Sequence, residues 1–242
     1  MLSYHNPVNG CGEVDTAARI LDAVVEIIEA DGVDAVQLRS VAKRARVSLT
    51  TIYALHSNRD ELILAAVEAW MAAHSYGELS PTPGQESLAE GLMRLVRRVF
   101  QPWEHSPRMA HAFFRARMTP GGDRLDRQGF EVVLPAAAHL LEGLDRDYVA
   151  DIAVVLINLC YSMVGRLVDG TADVPTILSM IERVVYRLTS DNSKLAVVRP
   201  ASESESSTAP LDFSLFSLYG PGSGQSVKVP EHRDVPTTSD GA

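Results

Sequence analysis

The chain has 242 residues, 46% of them hydrophobic, and a formal net charge of −9, which allows one or two domains with a real apolar core. The N-terminus lacks a charged stretch followed by an apolar run, so we expect no secretory signal. No uncharged apolar stretch reaches the ~18 residues of a membrane span. Cys11 and Cys160 lie in very different contexts, so we expect no disulfide and a cytoplasmic location. Short β-branched runs and few turn dipeptides predict an all-α fold.

The N-terminal segment precedes an amphipathic helical pattern. Residues 1–13 contain Pro7, two glycines and no lysine or arginine, and are predicted to be disordered. A first helix is expected from Asp15, a favourable N-cap, to Asp31, with Gly32 just past its end.

Two short amphipathic patterns follow, joined by a few residues. In the first, residues 38–45, apolar side chains recur at helical spacing. The second begins at Ser48, whose hydroxyl can accept a hydrogen bond from the amide of Thr51. One side of this second helix carries hydroxyl, phenol and small groups but no acid: Leu49, Thr50, Tyr53 and Ala54.

The same segment is basic although the protein is acidic. Residues 36–59 contain no Asp or Glu and five cations: Arg39, Lys43, Arg44, Arg46 and Arg59. A solvated basic helix face would explain such a window on its own. Two short helices, a tight turn and a cation-only surface together favour DNA binding.

The segment resembles the helix-turn-helix of the TetR family of transcriptional regulators. The matching residues are Gly32, Leu38-Arg39, Val41-Ala42, Ala45, Val47-Ser48, Thr51-Ile52-Tyr53 and Asn58-Arg59-Asp60-Glu61-Leu62. This resemblance covers about the first third of the chain. Four positions depart from it: Arg46 stands where glycine is usual, Gln37 replaces Thr or Ser, His56 replaces an aromatic residue, and Arg59 replaces the more usual Lys. A left-handed backbone at Arg46 would cost roughly 1 kcal/mol.

The resemblance implies a ligand-responsive regulator, most often a repressor, that binds a pseudo-palindromic double-stranded DNA operator as a homodimer. Residues 49–54 would enter the major groove, and Arg39 would reach a guanine edge. Hydroxyl groups and Arg59 would mostly meet phosphates. The residues expected at the DNA are Arg39, Ser48, Leu49, Thr50, Thr51, Tyr53, His56 and Arg59. The basic N-terminal arm of many relatives is missing here.

Helical patterns continue to residue 190. A fourth helix is expected after the N-cap Asn58, followed by helices over 86–101, 107–118, 123–144 and 148–168, and by a last helix that Asp173 caps. Pro102 should end one of these helices, and Pro135 should kink or split another. Residues 152–165 are uncharged and apolar on every side, which predicts burial between the chain's own domain and a second subunit.

These patterns divide the chain into a disordered N-terminus (1–13), a helix-turn-helix DNA-binding domain (14–62), a helical-bundle ligand-binding and dimerisation domain (63–190) and a disordered tail (191–242). The tail carries seven acidic and four basic residues, a net charge of −3. Within the tail, residues 211–219 alternate apolar and polar side chains. They could dock on the body as a strand or a short helix, or they could be an apolar stretch of an undocked tail, and we favour the undocked tail.

Large apolar and aromatic side chains in the second domain suit a pocket for a small apolar or amphipathic effector. Packing of the core is the simpler interpretation for any single one of them, and the family resemblance favours a pocket for the set. The residues expected there are Trp70, His74, Trp103, Met109, Phe113, Phe114, Met118, Asn158 and Tyr161.

No pattern predicts catalysis, a metal site or a cofactor. The histidines lack ligand spacing, Cys160 lies in an apolar helix, and neither a nucleophile elbow nor a phosphate-binding glycine loop is present. We therefore predict a regulator that is not an enzyme, and no association with membranes. The alternative from another class is an all-α small-molecule-binding protein or enzyme that no longer binds DNA.

Overall fold

A computed structural model of the protein describes residues 9–77 and 86–190, with side chains from Asp15 onward. Within these ranges the fold is all-α, as predicted, and contains no strand. Its elements in chain order are α1 (Asn9–Asp31), a 3-10 helix (Val33–Ala35), α2 (Leu38–Ala45), α3 (Leu49–Leu55), α4 (Arg59–His74), α5 (Leu88–His105), α6 (Pro107–Arg117), α7 (Asp123–Leu141), α8 (Arg146–Val168) and α9 (Val174–Thr189). The predicted tail 191–242 and the segment 78–85 lie outside the described residues.

The first three helices form a small unit around fully buried aliphatic side chains, among them Ile20, Val41 and Ile52. Helix α1 begins at Asn9, so the expectation of disorder was wrong for residues 9–13, as was the expectation of a cap at Asp15. Residues 1–8 lie outside the described residues. The Asp15 carboxylate instead lies 3.0 Å from the guanidinium of Arg19, one turn further on. Such a pair supports a helix that continues in both directions.

The corner between α2 and α3 is left-handed, and the predicted cap of α3 is present. Gln37 precedes α2 in an extended conformation and makes no capping hydrogen bond with its side chain. Ser48 caps α3, because its hydroxyl accepts a 3.0 Å hydrogen bond from the Thr51 amide. Between them Arg46 has φ 56° and ψ 46°, which is the left-handed region.

Helix α4 begins with the predicted cap. The Asn58 side chain accepts a hydrogen bond from the Glu61 amide at 2.9 Å. The Glu61 carboxylate reaches back to Ser57, whose amide donates at 2.6 Å and whose hydroxyl also donates. These bonds lower the pKa of Glu61 and favour its charged form, with the Ser57 hydroxyl as the main cause. A carboxylate in the first turn also stabilises the helix, because its negative charge lies beside the partial positive charge of the helix N-terminus.

Two prolines are accommodated inside helices. Pro102 does not end α5, which continues to His105 with the Ser106 amide bonded to the Pro102 carbonyl at 3.1 Å. A proline removes its own amide donor, but burial of Phe100 and Trp103 on either side of it holds this helix together. Helix α7 likewise contains Pro135 and is not split.

Helices α8 and α9 close the second domain. Asp145 caps α8 by accepting from the amides of Asp147 and Tyr148, so the helix begins two residues before the predicted start. Asp173 caps α9 as predicted, and its pKa is lowered mainly by the hydrogen bond from Thr176.

One side of α8 remains uncovered within a single chain. Ile152 and Met163 are buried, whereas Val154 and Val155 are 43% and 39% exposed. By length and composition, α8 is the one helix in the described ranges that could cross a membrane, a criterion that core helices of soluble proteins also meet.

Candidate DNA-binding face and effector region

The outer side of α3 is exposed and free of acids. Tyr53 is 57% exposed, and Thr50 and Ala54 are also exposed, while Leu49 and Thr51 are half-buried. The hydroxyls of Ser48 and Thr51 bond to each other at 2.8 Å, so Thr50 and Tyr53 present the more accessible hydroxyl groups. This short helix can enter a major groove with small and hydroxyl-bearing side chains foremost.

The five cations predicted for this face differ in their surroundings. Arg44 lies 3.5 Å from Glu26 of α1. Arg39, Lys43 and Arg46 are exposed, and none of them forms an ion pair within the described residues. These three side chains therefore form the free positive charge beside the recognition helix.

Arg59 occupies a position that the sequence did not reveal. Its Nε donates to the Val36 carbonyl at 2.6 Å and its terminal nitrogen to the Val33 carbonyl at 2.7 Å. A guanidinium with several donors can bridge two carbonyls in this way. Because both bonds tie the start of α4 to the segment before α2, the expected phosphate contact has to compete with a structural role.

His56 ends α3 and is half-buried. Burial lowers its pKa, Glu61 opposes this shift by raising the pKa, and Arg124 of α7 adds to the lowering. The imidazole at the helix-turn-helix is thus kept neutral near pH 7 and lies within electrostatic reach of the second domain.

The residues predicted for the effector region fall into two groups. Trp70, Trp103, Met109 and Phe113 are buried, and Phe114 packs partly buried against the same core. The rings of Trp103 and Phe113 lie 5.4 Å apart, and the buried Trp103 indole nitrogen has no hydrogen-bond partner among the described residues. Trp103 and Phe113 thus form an aromatic cluster with one donor that has no partner in the described residues.

The other predicted residues are not brought into this cluster. His74 is exposed and stacks on Trp70 with ring centroids 4.6 Å apart. Met118 is 50% exposed. Asn158 is exposed, and its amide donates to the Val154 carbonyl one turn back. The Asn158 side chain is therefore hydrogen-bonded within its own helix. A polar anchor for an effector in the interior would have to come from other residues.

A polar cluster that the sequence did not predict lies around Tyr161. Asp126 of α7 accepts from Arg117 Nε at 2.7 Å and from the Tyr161 hydroxyl at 2.8 Å. The Arg117 guanidinium lies 4.2 Å from the centre of the Tyr161 ring. Burial, and secondarily Asp126, raises the pKa of both Tyr161 and Tyr76. Arg117 follows the buried Phe113 by four residues, and this spacing is the signal that could have indicated an inward-facing charge.

Helix α4 carries a further polar connection to α7. Arg124 pairs with the Glu68 carboxylate at 2.8 Å, and the Gln128 amide donates to the Glu68 carbonyl at 2.9 Å. Arg124 Nε and Gln128 Oε1 are buried without a partner in the described part of the chain. These bonds hold α7 against α4, the helix that continues directly from the helix-turn-helix.

Helix α6 binds the end of α1 and the 3-10 helix. Ser106 donates to the Glu29 carboxylate at 2.9 Å, and Arg108 donates to the carbonyls of Glu29 and Ala30. Arg115 pairs with Asp34 at 2.7 Å. A shift of α6 would therefore act on the DNA-binding unit through several bonds at once.

The described residues contain no metal centre of His, Cys, Asp or Glu side chains, and Cys160 is a free thiol. No group of three or more His, Cys, Asp or Glu side chains is placed to hold a metal ion in these ranges. Burial raises the pKa of the Cys160 thiol to about 12, and a thiol of this kind is a poor nucleophile at neutral pH.

A helix-turn-helix unit joined to a helical second domain defines a DNA-binding regulator. The chain belongs to the TetR family: residues 20–66 match the model described as "Bacterial regulatory proteins, tetR family", and residues 85–188 match "Tetracyclin repressor-like, C-terminal domain".

Two curated relatives support this assignment. The chain is 29% identical to the DNA-binding transcriptional repressor TetR of Mycobacteroides abscessus over 178 residues, which are 65% of this chain and 92% of that protein. It is 38% identical to the nicotine-responsive repressor HdnoR of Paenarthrobacter nicotinovorans over 53 residues, which are 22% of this chain and 27% of that protein.

Solved structures share the fold. A TetR regulator from Rhodococcus sp. RHA1 superposes with a TM-score of 0.59 at 20% identity, covering 74% of this chain and 97% of its own. A second regulator from the same organism gives 0.57 at 19% identity, covering 76% and 99%.

Proposed function

We propose that the protein is a ligand-responsive repressor that binds a pseudo-palindromic operator as a homodimer and is released by an amphipathic small molecule. The observation that carries this proposal is the exposed, acid-free side of α3 beside Arg39, Lys43 and Arg46, three exposed cations that form no ion pair with any described residue. As a member of the TetR family the chain is a transcriptional regulator. The release by an effector, the residues involved and a cytoplasmic location are our proposals.

The exposed large hydrophobic side chains support the two interfaces that the proposal requires. Six are present in the described residues: Tyr53, Leu55, Met118, Val154, Val155 and Tyr186. Two of them belong to α3, and three belong to α8 and α9. A two-fold axis through α8 and α9 would cover the second group in a four-helix interface and leave α3 of both subunits free for DNA.

The effector would bind in the second domain beside the aromatic cluster. Trp103 and Phe113 would contact the apolar part of the effector. The Trp103 indole nitrogen, which has no partner in the described residues, could donate to an acceptor atom elsewhere on the effector. The cluster of Arg117, Asp126 and Tyr161 would hold the polar end. This arrangement favours an amphipathic effector over a purely apolar one, and it replaces Asn158 as the polar anchor.

Coupling between the sites would act through α6 and α4. Arg117 ends α6, and Asp126 lies on the same helix as Arg124. A ligand that separates Arg117 from Asp126 would move α6 and α7, whose bonds reach the DNA-binding unit at Asp34 and α4 at Glu68. Because coupling is reciprocal, an effector that weakens operator binding must itself bind less tightly to the DNA-bound protein.

A base-contact variant tests this function. An operator is first selected from a random-sequence duplex library with the full-length protein. Arg39→Ala should then weaken operator binding by about 1–3 kcal/mol and relax the base preference at one position of each half-site. Arg98→Gln, on the exposed side of α5, removes the same charge away from α3 and from the proposed dimer interface and is the control. Failure to select any duplex, or equal operator binding by Arg39→Ala, would favour the alternative of a binding protein without DNA recognition.

A further inference from the structure

The left-handed corner of the helix-turn-helix holds an arginine. Five described residues have positive φ: Gly32, Gly121, Gly143, Gly170 and Arg46. At the other four of these positions in the described ranges the residue is glycine. A side chain with a Cβ is disfavoured in this conformation, and arginine has no special tolerance of it.

The fold itself does not explain the arginine. The backbone amide of Arg46 donates to the Ala42 carbonyl, a bond that glycine would make equally well. The Arg46 side chain is exposed and forms no hydrogen bond or ion pair within the described residues. No local contact therefore compensates the strain that the side chain introduces.

The position of Arg46 indicates what would compensate it. Arg39 and Lys43 lie one turn apart on the same side of α2, and Arg46 follows three residues later at the end of the helix. Arg46 is also two residues before Ser48, which caps the recognition helix, so its Cα lies within roughly 7 Å of that N-terminus. The three unpaired cations form one row that ends beside α3.

We propose that Arg46 is a phosphate-contacting residue that fixes each α3 on the operator backbone, and that this contact maintains a side chain at a position suited to glycine. The inference rests on the proposed DNA binding. A guanidinium presents several donors to phosphate oxygens and keeps its charge at any physiological pH. Such a contact adds affinity on every sequence and positions the protein without reading bases.

Two variants separate charge from strain. Arg46→Gln keeps the strained backbone and removes the charge, whereas Arg46→Gly removes both. Arg46→Lys restores the charge, and Arg98→Gln, on the exposed side of α5, controls for a change in net charge alone. Binding of the full-length protein to a mixed-sequence duplex of about 30 base pairs is measured across salt concentrations, because phosphate contacts do not require the operator. Thermal unfolding of each variant is recorded in parallel.

We expect Arg46→Gln and Arg46→Gly to lower duplex affinity, with the slope of log K against log salt reduced by about 0.9 for each protomer bound. Arg46→Lys and Arg98→Gln should keep the parental slope. Arg46→Gly should unfold at a temperature no lower than that of the parent, since it removes the strain, and this excludes damage to the fold as the cause of its lower affinity.

Parental affinity and slope in Arg46→Gln would overturn the inference, as would an equal loss in Arg98→Gln. A parent protein that shows no salt-dependent duplex binding would instead overturn the proposed function.

Discussion

The guanidinium of Arg59 donates to the carbonyl oxygen of Val36 across 23 positions of sequence, at a distance of 2.6 Å. A second bond from the same group reaches the Val33 carbonyl. The segment between α1 and α2 is thus held by the first residue of α4. On its other side Asp34 pairs with Arg115 of the second domain. The two bonds from Arg59 and the pair at Asp34 place this short segment between α4 and α6.

Replacing Arg59 should therefore lower the stability of the fold, whether or not it also weakens DNA binding. Arg59→Ala should lower the free energy of unfolding by about 1–3 kcal/mol, because two carbonyls lose a charged donor. Arg59→Lys should recover only part of this loss, since an ammonium cannot bridge both carbonyls as a planar guanidinium does. Chemical denaturation of the three proteins measures the effect. Unchanged stability together with weaker duplex binding would identify Arg59 as the phosphate contact that the family resemblance implies.

The sequence predicted the local features of the fold and missed the long-range ones. The caps at Ser48, Asn58 and Asp173 follow from hydrogen bonds that span three residues, and all three are present. By contrast, the bond from Tyr161 to Asp126 spans 35 residues, and no local pattern contains it.

Helix ends also depended on tertiary packing. Propensity alone would end α5 at Pro102, but burial of the neighbouring Phe100 and Trp103 carries the helix through it. The sequence showed that Arg46 departs from the usual glycine, but both the left-handed backbone there and the path of the Arg59 side chain required the packed structure.

A charge on the exposed side of α8 should prevent dimerisation. Val155 is 39% exposed, so Val155→Glu can be tolerated by the single chain, yet a two-fold interface would place two such carboxylates together in an apolar contact. We expect monomers with weak operator affinity. Light scattering and analytical ultracentrifugation measure the mass, and circular dichroism checks the fold.

The matched control is Val155→Thr, which keeps the shape without the charge and should remain dimeric. A charge at Val184 of α9 would be a poorer test, because this side chain is half-buried. Loss of the dimer could then result from misfolding of the single chain. A stable dimer of Val155→Glu would place the interface elsewhere.

His56 should make stability depend on pH below neutrality. Its pKa in the folded protein is lowered by burial from an unfolded value of about 6.5. Between these two pKa values the unfolded chain binds more protons than the folded one, so stability should fall as the pH drops below about 6.5 and be unaffected by this group above it. His56→Gln should flatten this part of the stability curve. His139→Gln, at an exposed site on α7, should leave it as in the parent. An identical acid slope in His56→Gln would show that other groups cause it.

The effector prediction concerns the polar cluster. Tyr161→Phe removes the hydrogen bond to Asp126 but keeps the ring beneath Arg117. We expect the variant to bind DNA like the parent without ligand and to respond less to effector, because one group that holds the polar end is lost. Phe114→Ala should weaken the response through the apolar part instead.

A set of straight-chain compounds of one length, ending in a carboxylate, a hydroxyl or a methyl group, separates the two contributions by thermal shift and by release of operator DNA. A ligand at a hundredfold excess over its Kd should add about 2.7 kcal/mol to the free energy of unfolding. In the parent the carboxylate should give the largest effect, since Arg117 can exchange part of its bond to Asp126 for a bond to the ligand. Loss of that preference in Tyr161→Phe, with the methyl-ended compound unaffected, is the expected result. Equal responses to all three end groups in the parent would contradict a polar anchor at this cluster and leave an effector bound by apolar contacts alone.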